Sequence, residues 1–440
     1  MSSCLVNITF VVKLQIMLQI NVIRDQKEEV IARLGIKNFP AKELIDNVLE
    51  IDSQRRTTQS ELDNLLAAQN TLAKQVGDLF KSGKQAEAND LKNKSTALKE
   101  ESKLLGDRLA DLEKQMNDIL YRIPNLPSVV VPAGKTPEDN EIVFQSVSTL
   151  PDPGPDALPH WELAAKYDLI DFELGVKLTG AGFPVYKGKC AKLQRALINF
   201  FLNRASEAGY LEVQPPIMVN EDSGFGTGQL PDKEGQMYHV GIDNLYLIPT
   251  AEVPVTNIFR DEILKSEDLP VKMTAYTPCF RREAGSYGKD VRGLNRLHQF
   301  DKVEIVQVAN PSNSYQILEE MRNYVAGLIG ELGLPYRTLK LCGGDMSFAS
   351  ALTYDMEVWS AAQKRWLEVS SVSNFETFQS NRLKLRYRDG SNKPQLAHTL
   401  NGSALALPRI VAALLENNQT PEGIRIPSVL VPYTGFDLIN

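Results

Sequence analysis

The sequence predicts an α+β protein in which an antiparallel two-helix coiled-coil arm precedes a domain built on an antiparallel β-sheet flanked by helices. Two observations predict this fold class. Apolar residues recur at alternating steps of four and three over residues 42–120, with one short break. From about residue 160 onward, strand-like segments alternate with helical ones, as expected when helices cover a sheet of hairpins.

The composition is that of an ordinary globular protein with two or three domains. The chain has 440 residues, of which 43% are hydrophobic and 23% are charged. The formal charge of −7 argues against simple electrostatic adhesion to nucleic acid, so any such contact must use a local basic surface. The four cysteines and four histidines are scattered, so we expect no zinc site and no disulfide framework, and a cytoplasmic protein.

Residues 1–16 are apolar but do not resemble a secretory signal. The first cation, Lys13, follows most of the apolar run, and no small-residue cleavage site comes after it. The run is also too short to span a bilayer. We therefore expect no membrane partner and a translation start at Met17, which opens an amphipathic helix, with residues 1–16 as an upstream extension.

The arm is predicted from a 3.5-residue repeat. Its apolar positions run from Leu44 to Leu79 and, after a Gly-containing break at 81–84, resume from Leu91 to Ile119. Two equal heptad runs with a short break predict a hairpin of antiparallel helices over about 42–120. Heptads most often serve dimerisation or spacing, and acidic residues outnumber basic ones over this segment. Composition alone therefore predicts only an interaction arm.

The next segment, residues 124–159, is rich in proline and is predicted to be a linker, because proline disrupts regular helices. The remaining elements belong to the domain over 160–440. Its helices are predicted at 189–208, 315–332 and 408–418, and its strands at 245–248, 273–279, 300–308, 353–359 and 365–371.

Residues 280–304 form a cation-rich segment between two of these strands. The pattern predicts two antiparallel strands joined by a long loop, and long loops in compact domains are often functional. Arginines can hold phosphate oxygens in bidentate fashion, and the ring of Phe300 can stack on a base. A solvated charged hairpin is the alternative interpretation.

Motifs of one enzyme class surround this segment. Arg281-x-Glu283 with the later Arg-Leu-His-Gln-Phe300 resembles motif 2 of class II aminoacyl-tRNA synthetases. The helix 189–208 leading to the prolines of 213–216 resembles motif 1, and the segment 401–409 resembles motif 3. The particular residues of 247–257, 298–304, 367–383 and 399–409 are similar to the bacterial type of the seryl-tRNA synthetase family, and the resemblance covers about residues 17–440.

The resemblance implies a function as well as a fold. It implies a class II catalytic domain over 160–440 and a tRNA-binding arm over 17–123. Such an enzyme attaches L-serine to its tRNA with ATP and Mg²⁺, through a seryl-adenylate, and releases pyrophosphate. It also implies a homodimer, by way of motif 1. Whether selenocysteine tRNA is charged as well stays open at this stage.

The resemblance assigns the ATP site to two arginines and their neighbours. Arg281 would contact the α-phosphate and the serine carboxylate, and Arg409 the γ-phosphate, which makes both catalytic. Glu283, expected on the same face of an extended strand as Arg281, would accept from the adenine amino group while Phe300 stacks on the ring. The full set of ATP-binding candidates is Arg281, Arg282, Glu283, Phe300, Glu368, Val369, Ser370, Ser371 and Arg409, with Glu368 and Ser371 as the Mg²⁺ ligands.

The resemblance also assigns residues to serine and to tRNA. The roles of Glu252 and Glu304 relative to the ammonium and the hydroxyl of serine stay open. The serine-binding candidates are Thr250, Ala251, Glu252, Arg281, Glu304 and Ser403. The candidate phosphate contacts in the arm are Arg55, Arg56, Lys74, Lys81, Lys84, Lys92 and Lys94.

Three other functions compete with this interpretation. A ligase that transfers activated amino acids to a carrier protein is disfavoured by the intact arm and by the lack of a Cys/His zinc set. A non-catalytic tRNA binder would show losses at the catalytic positions, and none is seen. A coiled-coil scaffold does not explain the motifs of the second domain.

Overall fold

The computed structural model describes residues 20–232, 235–283 and 292–440. The chain divides into two compact units, one containing the helices up to residue 35 and residues 39–124, the other containing residues 36–38 and 125–440. The extension predicted over residues 1–16 lies outside the described residues. Within the described part of the chain, no helix combines the length and apolar character that crossing a membrane requires.

The first unit is helical and contains the predicted arm. Its helices are α1 (Ile20–Asp25), α2 (Lys27–Ile36), α3 (Lys42–Lys81) and α4 (Gln85–Leu120). The 40 residues of α3 correspond to a rod of about 60 Å at the usual rise per residue. The chain reverses at 82–84, where Gly83 adopts a φ of +76°, which glycine tolerates because it has no Cβ.

The seam between α3 and α4 contains hydrogen-bonded polar side chains as well as apolar residues. Val48, Ile51 and Thr58, which occupy heptad positions of α3, are buried. The side-chain amide of Gln69 donates to the carbonyl of Leu98 (2.6 Å) and to the Ser102 hydroxyl (2.9 Å) on α4. These bonds exist in one register only, so Gln69 specifies how the two helices pair.

The second unit is an α+β domain. Its helices are α5 (His160–Lys166), α6 (Phe172–Leu178), α7 (Gly188–Glu207), α8 (Glu221–Thr227), α9 (Glu252–Asn257), α10 (Ser314–Glu331), α11 (Phe378–Leu383), α12 (Leu407–Asn417) and α13 (Val431–Thr434). Its strands are β1 (Glu141–Gln145), β2 (Ile170–Asp171), β3 (Val185–Tyr186), β4 (Leu211–Glu212), β5 (Met218–Val219), β6 (His239–Val240), β7 (Leu245–Leu247), β8 (Ile263–Lys265), β9 (Val271–Phe280), β10 (Gln299–Ala309), β11 (Tyr336–Lys340), β12 (Leu352–Ser360), β13 (Arg365–Asn374), β14 (Arg386–Arg388), β15 (Pro394–Leu396), β16 (His398–Ala406), β17 (Gln419–Thr420), β18 (Gly423–Arg425) and β19 (Leu438–Ile439).

The principal sheet has eight strands in the order β1-β11-β12-β13-β16-β10-β9-β4. Its neighbours pair antiparallel, except that β4 lies parallel to β9 at the edge. Four strands of this sheet, β1, β4, β11 and β16, were not predicted from the sequence. The predicted linker contributes β1, which pairs with β11. Strand β16 was not predicted because it contains polar residues, whereas a buried strand is usually apolar.

The core lies on one face of this sheet. Phe200 and Phe201 of α7, together with apolar residues of α10 and α12, pack against Val303 and Ile305 of β10. Residues that alternate with these along β10 point to the other face, where Val306 and Val308 pack against α9 and the end of α11. The same alternation places Lys302 and Glu304 on that second face.

Candidate active site

The center of the site is a pair of residues on adjacent strands. Glu304 of β10 lies directly opposite Ser403 of β16 in the antiparallel register. Directly opposite residues project from the same face of a sheet. Glu304 is 2% exposed and Ser403 8% exposed, so both lie in a nearly enclosed place.

Thr250 and Lys302 complete the surroundings of Glu304. The Thr250 hydroxyl donates to Glu304 Oε2 at 3.0 Å, and Lys302 Nζ donates to the Thr250 oxygen at 2.8 Å. Lys302 also forms an ion pair with Glu304. A buried carboxylate needs a positive partner, because its desolvation is otherwise uncompensated. Lys302 is thus the counter-ion of Glu304 in this pocket.

Glu252 lies in the same pocket but has different partners. Its Oε1 accepts from the Gln379 amide at 2.6 Å, and the carbonyl of Gln379 accepts from the Thr399 hydroxyl at 2.7 Å. Burial, and then the nearby charge of Glu304, raise the pKa of Glu252 to about 7. The two carboxylates of the pocket therefore differ in their partners, an ammonium group for Glu304 and a neutral amide for Glu252.

Ala251 and Val369, two predicted contacts, project their side chains into the apolar core clusters. The hydroxyl of Ser370, a third, donates to the backbone carbonyl of Ser403 at 2.6 Å. Ser370 therefore anchors β16 beside β13. The side chains of Ala251, Val369 and Ser370 are therefore occupied within the protein, and the other predicted residues are the candidates for side-chain contact with a ligand.

Arg281 and Phe300 lie together where β9 and β10 begin to separate. The backbone N–H of Arg281 donates to the His298 carbonyl at 2.9 Å, which continues the pairing one residue past β9. Its guanidinium lies 5.4 Å from the centroid of the Phe300 ring. A planar cation beside an aromatic ring forms a surface suited to a phosphate and a base together. The backbone N–H of the adjacent residue, Arg282, donates to the carbonyl of Gln236 at 2.8 Å.

The expectation that Glu283 shares a strand face with Arg281 is wrong. The strand β9 ends at Phe280, and Glu283 adopts a φ of +46°, in the left-handed region. The alternation of a strand therefore does not extend to it. Its carboxylate instead accepts from Arg296 Nη1 at 2.7 Å, so the two ends of the loop are joined by an ion pair.

Arg409 lies at the start of α12, directly after Pro408. Its Nε donates to the carbonyl of Asn295 at 3.0 Å, and its Nη1 donates to the carbonyl of Glu368 at 2.8 Å. The carboxylate of Glu368 also lies near this guanidinium, with Oε2 3.7 Å from Arg409 Nη1. These contacts connect motif 2, motif 3 and strand β13 at one point.

Oxygen donors accumulate beside Arg409. The Ser371 hydroxyl lies 3.5 Å from Glu368 Oε1, and Asp355 lies directly opposite Ser371 on β12. Asp355 Oδ1 is buried and has no hydrogen-bond partner among the described residues. Burial, and then the charge of Glu368, raise the pKa of Asp355 well above its usual range. A carboxylate, a hydroxyl and a buried unpartnered carboxyl oxygen are the hard donors that Mg²⁺ prefers.

The cations predicted for the arm fall into two groups. Arg55 and Arg56 both contact the buried carboxylate of Asp52, which Arg24 also contacts. Lys84 lies 3.3 Å from the carboxylate of Glu87. Lys74, Lys81, Lys84, Lys92 and Lys94 are exposed. The lysines are therefore better placed for a partner than Arg55, whose side chain is 21% exposed, whereas Arg56, at 51%, is as exposed as they are.

Sequence reasoning missed four polar residues of the pocket region, Gln379, Thr399, Asn401 and Lys302. The first orients Glu252, and the second orients Gln379. A signal existed in β16, where Thr399, Asn401 and Ser403 recur at every second position. A strand that is buried yet polar on one face indicates a site on that face.

The fold and the site together define a class of protein. The chain matches the family model "tRNA synthetase class II core domain (G, H, P, S and T)" over residues 238–418, which span the motif 2 loop and motif 3. It also matches the "Seryl-tRNA synthetase N-terminal domain" over residues 17–127. The catalytic unit is therefore of the class II aminoacyl-tRNA synthetase type.

Comparison with individual proteins narrows this class. The chain is 51% identical to the serine–tRNA ligase of Salinibacter ruber, covering 96% of this chain and 99% of that protein, and 49% identical to that of Chlorobium luteolum, with the same coverage. It superimposes on a seryl-tRNA synthetase of Pyrococcus horikoshii complexed with ATP with a TM-score of 0.87 at 33% identity, covering 96% of this chain and 99% of that one. The chain belongs to the serine–tRNA ligase family, which confirms the predicted fold class and resemblance.

Proposed function

We propose that this protein attaches L-serine to its tRNA at the expense of ATP, through a seryl-adenylate and with release of pyrophosphate. One observation carries the proposal. The polar pocket around Glu304 and Ser403 shares strand β10 with the Arg281–Phe300 pair, and Glu304 and Phe300 lie four residues apart on one face of that strand, so an amino acid and a nucleotide can bind next to each other. The membership of the family supports the same reaction.

The pocket suits serine because it is small, polar and almost enclosed. Glu304, Thr250 and Ser403 supply acceptors and donors for an ammonium and a hydroxyl. Alanine would leave these buried groups without partners, which a site rejects strongly. Threonine would need room for a further methyl group in a space where Ser403 is 8% exposed.

Adenylate formation requires cations more than an acid or a base. An oxygen of the serine carboxylate attacks the α-phosphorus, a new P–O bond forms, and the bond to pyrophosphate breaks. Negative charge accumulates on the phosphorus oxygens, and preplaced positive groups stabilise it. In our proposal Arg281 contacts the α-phosphate and the serine carboxylate, Arg409 contacts the γ-phosphate, and Phe300 stacks on adenine.

Glu368 and Ser371 would hold Mg²⁺, with Asp355 beside them. When bound, the ion neutralises phosphate charge and orients the displacement. Glu368 also approaches Arg409, so this carboxylate balances the cation when no nucleotide is bound. Glu283 would reach adenine only after its ion pair with Arg296 opens.

The arm is the part of the chain that we propose contacts tRNA. Residues 17–123 form the tRNA-binding region, 124–159 the linker, and 160–440 the catalytic domain. A rigid helical rod recognises the shape and phosphates of an RNA helix more readily than its bases. The exposed lysines of the arm support this role, and Arg55 and Arg56 contribute only if they leave Asp52.

We further propose that the protein is a cytoplasmic homodimer. In the motif 1 region Leu211, Ile217 and Met218 are 61%, 36% and 47% exposed. Exposed apolar side chains that lie close together along the chain are candidates for an interface. Dimers with twofold symmetry are the commonest assemblies.

The proposal is tested by ATP–pyrophosphate exchange with each amino acid in turn, followed by charging of tRNA. We expect exchange to be fastest with serine and the product to be seryl-tRNA. A faster exchange with any other amino acid would overturn the specificity. Transfer of serine to a carrier protein with no charging of tRNA would favour the carrier-protein ligase. Selenocysteine tRNA is tested in the same charging assay.

A further inference from the structure

A buried polar cluster outside the substrate pocket lies against the segment that returns from the charged loop. His160, the first residue of α5, and Glu416, near the end of α12, are both fully buried, and His160 Nδ1 lies 2.7 Å from Glu416 Oε1. The same carboxylate accepts from the backbone N–H of His160 (3.0 Å), from the Gln363 amide (2.9 Å) and from the Ser360 hydroxyl. Burial raises the pKa of Glu416, but the hydrogen bonds from His160 and Ser360 outweigh it and hold the pKa below its usual value.

The partners of His160 determine which ring nitrogen carries the proton. Its Nε2 lies 2.8 Å from the backbone nitrogen of Leu294, which can only donate. Nε2 must therefore be the acceptor, and Nδ1 carries the hydrogen that points to Glu416. Both ends of the imidazole are used, one on a charged carboxylate and the other on the loop backbone.

Two further contacts bring α5 and the loop together. Gly293 has a φ of +65°, and a Cβ at this position would lie 2.2 Å from His160 Nε2. The guanidinium of Arg292 lies 4.5 Å from the Trp161 ring centroid. Residues 292–294 therefore each contact one of the first two residues of α5.

The next residue, Asn295, transmits this placement to Arg409. Its side-chain amide donates to Gln363 at 3.0 Å, and its backbone carbonyl accepts from Arg409 Nε at 3.0 Å. Gln363 is the residue that also donates to Glu416. A continuous set of hydrogen bonds thus leads from the His160–Glu416 pair to the arginine proposed for the γ-phosphate.

We propose that His160 and Glu416 are positioning residues for ATP. The pair fixes the backbone of 293–295, and this backbone in turn orients Arg409. Neither residue contacts a substrate. The inference rests on the proposed function of Arg409. It predicts that loss of the pair raises KM for ATP and leaves KM for serine unchanged, because the serine pocket is held by other contacts, those among Glu304, Thr250 and Lys302.

Two substitutions of His160 separate the two hydrogen bonds of its ring. In His160→Gln the amide oxygen can take the place of Nε2 and accept from Leu294. In His160→Asn the shorter side chain can reach only the place of Nδ1, so the N–H of Leu294 loses its acceptor. We expect KM for ATP in serine-dependent exchange to rise about tenfold in the Asn variant and to change less than about threefold in the Gln variant. KM for serine should stay within about twofold of the wild type in both.

His398→Asn is the matched control. His398 is buried like His160, but its Nδ1 lies 2.7 Å from a hydroxyl, Ser314 Oγ, and not from a carboxylate. The substitution should lower the melting temperature without changing KM for ATP. Should the His160 variants fold poorly, Gly293→Ala tests the same contact from the loop side and should raise KM for ATP alone. Equal effects of Asn and Gln, or a joint rise of both KM values, would overturn the inference. A wild-type enzyme that shows no serine-dependent exchange would instead overturn the proposed function.

Discussion

Two glutamates share the candidate serine pocket, and their partners differ. Glu304 lies beside Lys302 and accepts from Thr250, whereas Glu252 accepts from the neutral amide of Gln379. Two adjacent buried carboxylates do not both ionise easily. Burial, and then the charge of the adjacent Glu304, therefore raise the pKa of Glu252 to about 7.

This difference predicts a pH dependence of stability. The pKa of Glu252 rises from an ordinary 4.5 to about 7 on folding, so the folded state retains a proton that the unfolded state releases. The stability contributed by this group is complete below about pH 4.5 and is lost as the pH rises through 7. Relative to the wild type, Glu252→Gln should gain on the order of 1–3 kcal/mol in free energy of unfolding between pH 4.5 and 7.5.

Urea denaturation at several pH values measures this gain. Glu267→Gln removes one carboxylate from the exposed surface and controls for the general effect of charge. A difference between Glu252→Gln and the wild type that does not change with pH would contradict the shift.

Ser403 is predicted to contribute to the selection of serine. Ser403→Ala should lower kcat/KM for serine and leave that for alanine almost unchanged, so that the ratio narrows about tenfold or more. The measurement is ATP–pyrophosphate exchange with the two amino acids. Ser373→Ala, which removes another buried hydroxyl bonded to Thr353 at 2.9 Å, should leave the ratio intact. Unchanged discrimination in the Ser403 variant would exclude Ser403 from the pocket.

At the scale of elements, the arm is a separate helical unit whose register depends on few contacts. Gln69 pairs across the seam with Leu98 and Ser102. The proposed tRNA contacts all lie on α3, α4 or the turn between them, and the proposed catalytic residues lie beyond residue 240. The two functions are therefore separable by deletion.

Removal of residues 55–109 should abolish the charging of tRNA and spare serine-dependent exchange. Exchange requires only the pocket, Arg281 and Arg409, none of which lies in the deleted segment. Both reactions are measured on the same preparation, so retained exchange also shows that the catalytic unit has folded. Efficient charging by the shortened protein would contradict a role of the arm in tRNA binding.

At the scale of the whole molecule, the exposed apolar residues after α7 predict self-association. Light scattering coupled to size exclusion should give a native mass about twice the 49.0 kDa of one chain. Met218→Glu, at a side chain that is 47% exposed, should reduce this mass. Lys74→Glu, on the exposed surface of the arm, controls for added negative charge. A wild-type mass of one chain would contradict the homodimer.

Much of the fold followed from local patterns. The heptad repeat placed the two arm helices, and strands such as β9 and β10 were predicted within two residues of their observed bounds. Strand β1 was missed because it is a short edge strand in a proline-rich segment. Strand β16 was missed because its alternate residues are polar, and only its position beneath a substrate pocket explains that composition.

The sequence by itself determined the type of fold, the family and the identity of most candidate ligands, because motif residues and repeats are local in the chain. Only the tertiary structure decided which of them act together. It placed Lys302 beside Glu304, removed Glu283 from the strand face, and joined His160 to Glu416 and Leu294, which are 256 and 134 residues away along the chain. The physical reason is that strand register and the satisfaction of buried polar groups depend on contacts between distant segments, which spacing along the sequence does not encode.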